Sequence, residues 1–311
     1  MKLLRALAVF CVTTFVMIAF SHAEETALPR TVKVLTIGNS FSENACKYLK
    51  EIGKDQGVEI IIGTANIGGC PLEKHARLAR ESDADPSLKP YTTKHDGKTT
   101  KINLQDALKA EEWDFVTVQQ YSLHSYRPET YHPHVDELVA RIRALAPRAK
   151  LLVHETWAYR PDSPSFKQEK LDQQTMYDGL RRCYSDVARE FNGTIIPVGT
   201  AFQKVRATPG QQVVVPDPKF DYKTAVAPNL PNQDHSLIVG WRWVEKDGKK
   251  TLSLDAKHAN ASGCYLGGLV WFEVLTGGDA TKVMFVPKGV EAGDAELYRM
   301  VAHEVVLERR K

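Results

Sequence analysis

The sequence predicts an α/β protein, a three-layer α/β/α sandwich around a central parallel sheet of five strands. Short β-branched, apolar runs read as fully buried strands, and helical patterns separate one run from the next. The first run ends in Gly38-Asn39-Ser40 directly before a helical stretch, the strand, tight turn and helix of such a sheet.

Residues 32–37 are the first strand, followed by a helical stretch at 43–57. Residues 58–62, 115–118, 151–153 and 194–198 supply the other four strands. Helical patterns at 134–146 and 167–191 lie between them, and helices at 262–275 and 294–310 close the chain. In open sheets of this kind a ligand binds at the carboxyl ends of the strands, so residues just after each strand are the ones to watch. Two segments break the alternation. Residues 91–102 hold Asp96-Gly97 between Thr-rich flanks and read as a surface hairpin. Residues 208–254, rich in Pro, Gln and Asp and containing Trp241-Arg242-Trp243, read as a long excursion over the active edge, or else as a disordered loop.

The N-terminus carries Lys2 and Arg5, an apolar run from 6 to 20, and Ser21-His22-Ala23, a small-x-small cleavage pattern. Residues 1–23 are therefore expected to be a signal peptide, with the competing reading of a membrane anchor disfavoured because about 15 apolar residues fall short of the roughly 20 that span a bilayer. Residues 24–311 then form one domain that is secreted or periplasmic, with no stable membrane anchor after cleavage. Without Lys2 and Arg5 the 41 basic residues fall to 39 against 38 acidic ones, a balance that gives no reason to expect nucleic acid. Cys46, Cys70, Cys183 and Cys264 remain, in a compartment that permits disulfides, but their spacing matches no zinc pattern and specifies no pairing.

Four groups of residues carry chemistry. Ser40 stands at the turn between a buried strand and a helix, where its hydroxyl reaches the carboxyl edge of the sheet; alone, Ser40 or Ser42 would read as a helix cap. Asp255-Ala256-Lys257-His258 places a carboxylate three residues before a histidine in one short loop, so that Asp255 can bond Nδ1 and leave Nε2 to take a proton from a serine. Gly68-Gly69 after the second strand lets a backbone N–H approach a substrate oxygen closely, or is an ordinary turn. Gln119-Gln120 leaves the third strand with side-chain amides that serve either a substrate oxygen or the surrounding structure. Asp234-His235 is a weaker acid–base pair, because adjacent side chains point apart. His132 and His134 with His154 and Glu155 lack a further ligand at metal-binding spacing, so no metal is expected.

The order of these four groups resembles the SGNH, or GDSL-type, hydrolase superfamily. Gly38-Asn39-Ser40 matches its first block, usually Gly-Asp-Ser; Gly69 matches its glycine block; Asp255 and His258 match its Asp-x-x-His block. More narrowly, residues 37–42 with Gly68-Gly69-Cys70-Pro71-Leu72-Glu73-Lys74-His75 are similar to a bacterial branch known only as a domain of unknown function. The resemblance implies a flavodoxin-like fold with Ser40 as nucleophile, His258 as base, Asp255 as its orienting acid, and the Ser40 and Gly69 N–H groups as oxyanion donors. Asn39 departs from the usual aspartate, a side chain that mainly braces the loop. The family's Gly-x-Asn-Asp block has no literal counterpart, and Gln120 is the expected substitute for its amide donor. Asn39, His75, Tyr121, His124 and Trp157, near the predicted edge, are expected to face substrate.

The resemblance and the edge aromatics together imply an exported serine esterase that removes small acyl groups, acetyl above all, from a small-molecule or glycan ester without metal or organic cofactor. A lipase or thioesterase would want an apolar groove, whereas the excursion at 208–254 is mostly polar. A carbohydrate-binding scaffold without activity is the alternative that the missing third block leaves open.

Overall fold

A computed structural model describes residues 28–95 and 98–310, so the expected signal peptide lies outside the described residues, as does the Asp96-Gly97 turn. The central sheet is the one the sequence predicts. Its strands are β1 (Thr31–Gly38), β2 (Glu59–Asn66), β5 (Phe115–Val118), β6 (Lys150–His154) and β7 (Thr194–Ile196), in the order β2-β1-β5-β6-β7. Every neighbouring pair is parallel. Because the order reverses beside β1, the carboxyl end of β1 opens a crevice between strands whose connections leave in opposite directions. Val32, Val34, Leu35 and Ile37 are buried, as a strand covered on both faces requires.

Helices flank the sheet. Between β1 and β2 lie α1 (Ser40–Ala45) and α2 (Leu49–Asp55), where the sequence pattern suggested one continuous helix. The 167–191 stretch likewise divides into α6 (Pro164–Glu169) and α7 (Gln173–Glu190), separated at Lys170, whose φ of 55° ends the first helix in the left-handed region. Three helices carried no expectation: α3 (Leu72–Ala84), α4 (Leu104–Lys109) and α8 (Val198–Ala207). On one side α3, α4 and α5 (His134–Leu145) touch one another. On the other, α1, α2, α8 and α10 (Ala292–Arg310) gather around α9 (Ala261–Thr276). That helix is buried along nearly its whole length, which is why its sequence is apolar on every side. Gly267 makes room for α1, since a Cβ there would stand 3.1 Å from the Ala45 Cα.

The expected hairpin is present as β3 (Tyr91–His95) and β4 (Lys98–Ile102). The excursion is only partly loop: residues 208–237 are irregular, and then β8 (Ile238–Lys246) and β9 (Lys249–Ala259) form an antiparallel pair. This corrects the placement of Asp255 and His258, which stand near the C-terminal end of β9 and not in a short loop. Among the described residues Cys46, Cys70, Cys183 and Cys264 are all unpaired. No described helix is long and apolar enough to cross a membrane.

The loop that follows β6 is held down by α8. A Cβ on Gly199 would stand 2.0 Å from the Thr156 carbonyl oxygen, whereas one on Gly293, in the first turn of α10, would meet nothing within 4 Å. Gly199→Ala is therefore expected to destabilise the fold by about 3 kcal/mol or more, because backbone must move, while Gly293→Ala is expected to stabilise it by about 0.5 kcal/mol. Urea unfolding midpoints of the two variants check this, and a neutral Gly199→Ala would contradict the packing described.

Candidate active site

β1 ends at Gly38 and the chain turns through Asn39, whose extended backbone (φ −146°) leaves it as the cap of α1. Its Oδ1 accepts from the Phe41 N–H at 3.0 Å and its Nδ2 donates to the Cys70 carbonyl at 3.2 Å. Ser40 is thereby the first residue of the helix, half-buried, at the carboxyl edge of the sheet. Its Oγ lies 3.0 Å from His258 Nε2.

His258 owes its place to a bulge. Gly240 pairs with Asp255 and Ile238 with Ala259, so three residues of β9, Ala256 to His258, face the single residue Val239 of β8. The surplus chain curls around the Asp255 carboxylate. Oδ1 accepts from the N–H groups of Lys257 (3.3 Å) and His258 (3.1 Å), and Oδ2 accepts from His258 Nδ1 at 2.9 Å. Partial burial by itself raises the carboxyl pKa, but the bonds from the His258 side chain and backbone outweigh it and hold Asp255 down at about 2. An ionised Asp255 requires the proton on Nδ1, so Nε2 presents its lone pair to Ser40.

A buried polar latch braces the turn from below. Ser42 Oγ donates to Gln119 Oε1 at 2.6 Å, and Gln119 Nε2 donates to Asn39 Oδ1 at 2.7 Å. His154, the last residue of β6, brings Nδ1 to 3.4 Å from Ser42 Oγ. Gly38 must be glycine, because a Cβ would stand 2.6 Å from Ser42 Oγ and 2.7 Å from Gln119 Oε1. The Gly38 carbonyl accepts twice, from the Ile67 N–H at 3.1 Å and from His75 Nε2 at 3.0 Å, and the Tyr91 hydroxyl in turn donates to His75 Nδ1 at 2.9 Å.

These contacts sort the expected site residues. Ser40, Asp255 and His258 are brought together in one line. Gly69 lies beside them: β2 pairs with β1 up to Asn66 opposite Gly38, and the exposed Gly68-Gly69 follows, with Gly69 at φ 61°. Among the described residues, neither the Ser40 nor the Gly69 N–H has a hydrogen-bond partner. Tyr121 and His124 are half-buried at the same edge, ring edge to ring face at 5.3 Å, and the Tyr121 ring lies 3.8 Å from where a Gly69 Cβ would stand. Burial lowers the His124 pKa, and Arg127 lowers it further.

Four expectations are corrected. Gln120 is not positioned as an oxyanion donor: its Nε2 donates to the Thr130 carbonyl at 2.9 Å and its Oε1 accepts from Leu72 N and Tyr121 N. Asn39 and His75 are buried braces of the turn and face no opening. Trp157 is fully buried, stacked between Phe41 and Phe202, and offers no face to a substrate. Asp234 and His235 are both exposed and make no bond to each other, as adjacent side chains predict. His132 meets Asp136 and Glu190 at the surface, while His154 and Glu155 are buried, so the four histidine and glutamate positions are not one site. Of the two roles the sequence leaves open for the glutamines, Gln119 takes the structural one, as the amide that braces the turn.

Residues 33–215 match the model of a family described as a domain of unknown function, DUF4886. The crystal structure of a DUF4886 family protein from Bacteroides uniformis is similar over 90% of this chain and 96% of that one, at 29% identity and a TM-score of 0.68. Weaker likenesses are to a proposed SGNH hydrolase from Slackia heliotrinireducens (17% identity, 78% and 98% of the two chains, TM-score 0.48) and a proposed GDSL-like lipase from Parabacteroides merdae (14%, 80% and 97%, 0.45). No curated protein matches the sequence.

Burial lowers the pKa of His75 to about 4 and that of His154 to about 3, from an ordinary value of 6.5. The unfolded chain therefore binds protons that the folded one refuses, and stability should fall as pH drops from about 6.5 toward 4, by about 1.4 kcal/mol per pH unit for each histidine. Urea midpoints between pH 7 and 4.5 measure the slope. His75→Gln should reduce it by about 1.4 kcal/mol per unit, and an unchanged slope would show that His75 takes up its proton within the fold.

Proposed function

This chain belongs to the DUF4886 family, and we propose that it is an exported serine esterase that removes small acyl groups, acetyl foremost, from carbohydrate. One observation carries the reading: the line from Ser40 Oγ to His258 Nε2 at 3.0 Å and from His258 Nδ1 to Asp255 Oδ2 at 2.9 Å, at the carboxyl edge of a parallel sheet. In this mechanism Ser40 Oγ attacks the ester carbonyl as His258 Nε2 takes its proton. The oxyanion is held by the free N–H groups of Ser40 and Gly69. His258 returns the proton to the departing sugar oxygen, leaving an acyl-serine, and then deprotonates the water that releases the acid and restores Ser40. Asp255, ionised above about pH 2, keeps His258 in the required tautomer and balances the imidazolium that forms.

Two features support a short acyl group on a polar carrier. The Tyr121 ring stands against Gly69 and narrows the space beside the oxyanion position. Tyr121 and His124 present an aromatic surface and ring nitrogens without a hydrogen-bond partner among the described residues, suited to a sugar ring and its hydroxyls. Export rests on residues 1–23, which read as a signal peptide. A second reading, a glycan-binding scaffold without turnover, is favoured by the loss of the third amide donor, since one such donor is worth about 3 kcal/mol of transition-state stabilisation and Gln120 is committed to Thr130.

Hydrolysis of 4-nitrophenyl acetate and butyrate by the mature protein tests the proposal, followed by acetylated oligosaccharides. Acetate should be preferred, Ser40→Ala and His258→Ala should each lower kcat by about 10³-fold or more, and Asp255→Asn by about 10²- to 10⁴-fold. Turnover that survives Ser40→Ala would overturn the mechanism. Glycan binding without turnover, unchanged in Ser40→Ala, would put the scaffold reading in its place.

A further inference from the structure

Ser40 and His258 are separated by 218 residues of chain, and each of the two backbone neighbours of His258 is bonded to the element that carries Ser40 or to a side chain packed on it. On the N-terminal side, the Lys257 carbonyl accepts from Trp157 Nε1 at 2.8 Å. The same indole stacks on Phe41, the residue after Ser40, with ring centroids 4.3 Å apart and planes 24° from parallel. On the C-terminal side, the Ala259 N–H donates at 3.1 Å to Oδ1 of Asn44, which lies on α1 one turn beyond Ser40.

We propose that Trp157 and Asn44 are positioning residues, a two-point tether that sets the distance between the nucleophile and its base. The inference rests on the esterase reading and concerns the same site. The bulge is the part of β9 that most needs such support, because Ala256 to His258 face a single residue of β8 and have lost their regular ladder partners. A third bond, from the Arg160 N–H to the Ala256 carbonyl at 2.9 Å, ties the start of the bulge to the loop after β6. The other face of Trp157 stacks on Phe202 of α8, with centroids 4.7 Å apart and planes 9° from parallel, so the indole is fixed from both sides. With Trp157 and Asn44 in place, a displacement of the His258 backbone away from Ser40 must break a bond on one side of it or the other. Neither side chain touches the reacting atoms, and the effect of each is on the geometry of proton transfer, where a misplacement of about 1 Å costs as much as 100-fold.

Three variants test the tether against a merely structural role. Trp157→Phe keeps an aromatic ring between Phe41 and Phe202 and removes the N–H donor together with part of the ring volume. Asn44→Ala removes the acceptor while placing a better helix former on α1. Leu138→Ala, in the buried face of α5 on the other side of the sheet, destabilises the fold and touches neither tie. With 4-nitrophenyl acetate, Trp157→Phe and Asn44→Ala should each lower kcat by about 10-fold with KM within about twofold of the wild type, while Leu138→Ala should keep kcat within about threefold whatever it costs in melting temperature. The proposal is overturned if both tether variants stay within about threefold of wild-type kcat, or if Leu138→Ala loses as much kcat as Trp157→Phe. Should Trp157→Phe fail to fold, Asn44→Ala decides alone. A wild-type protein without esterase turnover, or with turnover that survives Ser40→Ala, brings down the esterase reading itself; an active wild type silenced by Ser40→Ala, with unaffected tether variants, brings down the tether only.

Discussion

The hydrogen bond of 3.0 Å between Ser40 and His258 is the constraint around which the rest of the structure is arranged. It joins the end of the first strand to the end of the last, so its two atoms are placed by separate parts of the fold. A hydrogen bond tolerates an error of only a few tenths of an ångström before it weakens. Both sides therefore need rigid support, and each receives it in a different way.

The Ser40 side is supported by buried polar groups. Asn39, Ser42, Gln119 and His75 are all less than 2% exposed, and their hydrogen-bond partners come from one another, from backbone or, for His75, also from the Tyr91 hydroxyl. Burying polar atoms is costly when they are unpaired and nearly neutral when they are paired, so a closed set of bonds can specify one conformation of the turn without a large loss of stability. The same burial keeps His75 and His154 uncharged, and the refusal of those protons couples the integrity of the turn to pH. The His258 side is supported instead by a local excess of chain. Three residues against one in the β8-β9 ladder fold the backbone back on the Asp255 carboxylate, which then accepts from two N–H groups as well as from the imidazole.

The Gln119-Gln120 pair shows how two identical neighbours acquire different tasks. Just past β5 they take different partners, so Gln119 reaches under the Ser40 turn while Gln120 turns toward Thr130 and the start of α3. Gln120 thereby serves the loop between Gly69 and α3, through the Leu72 N–H, and not an oxyanion directly. Trp157 is a parallel case. An aromatic residue just past a strand end suggests a platform for a ligand, yet here it is closed over by Phe41 and Phe202 and turned into a joint between two elements.

The sequence by itself determined the five strands and their order along the chain, because buried parallel strands must be apolar and β-branched, and that pattern is local. It also determined the Gly38-Asn39-Ser40 turn and the Asp-x-x-His pair, since that turn and the spacing of Asp255 and His258 are short-range chemistry. Only the tertiary structure decided the rest. That Asp255 and His258 sit on a bulged strand depends on pairing with β8, which no local pattern announces, and 208–237 conceals the boundary. That His75, Asn39 and Trp157 are braces and not contacts for a substrate depends on which neighbours cover them. A histidine beside Gly38 and one beside an open cleft look alike in sequence, and burial, a property of the packed whole, is what separates them.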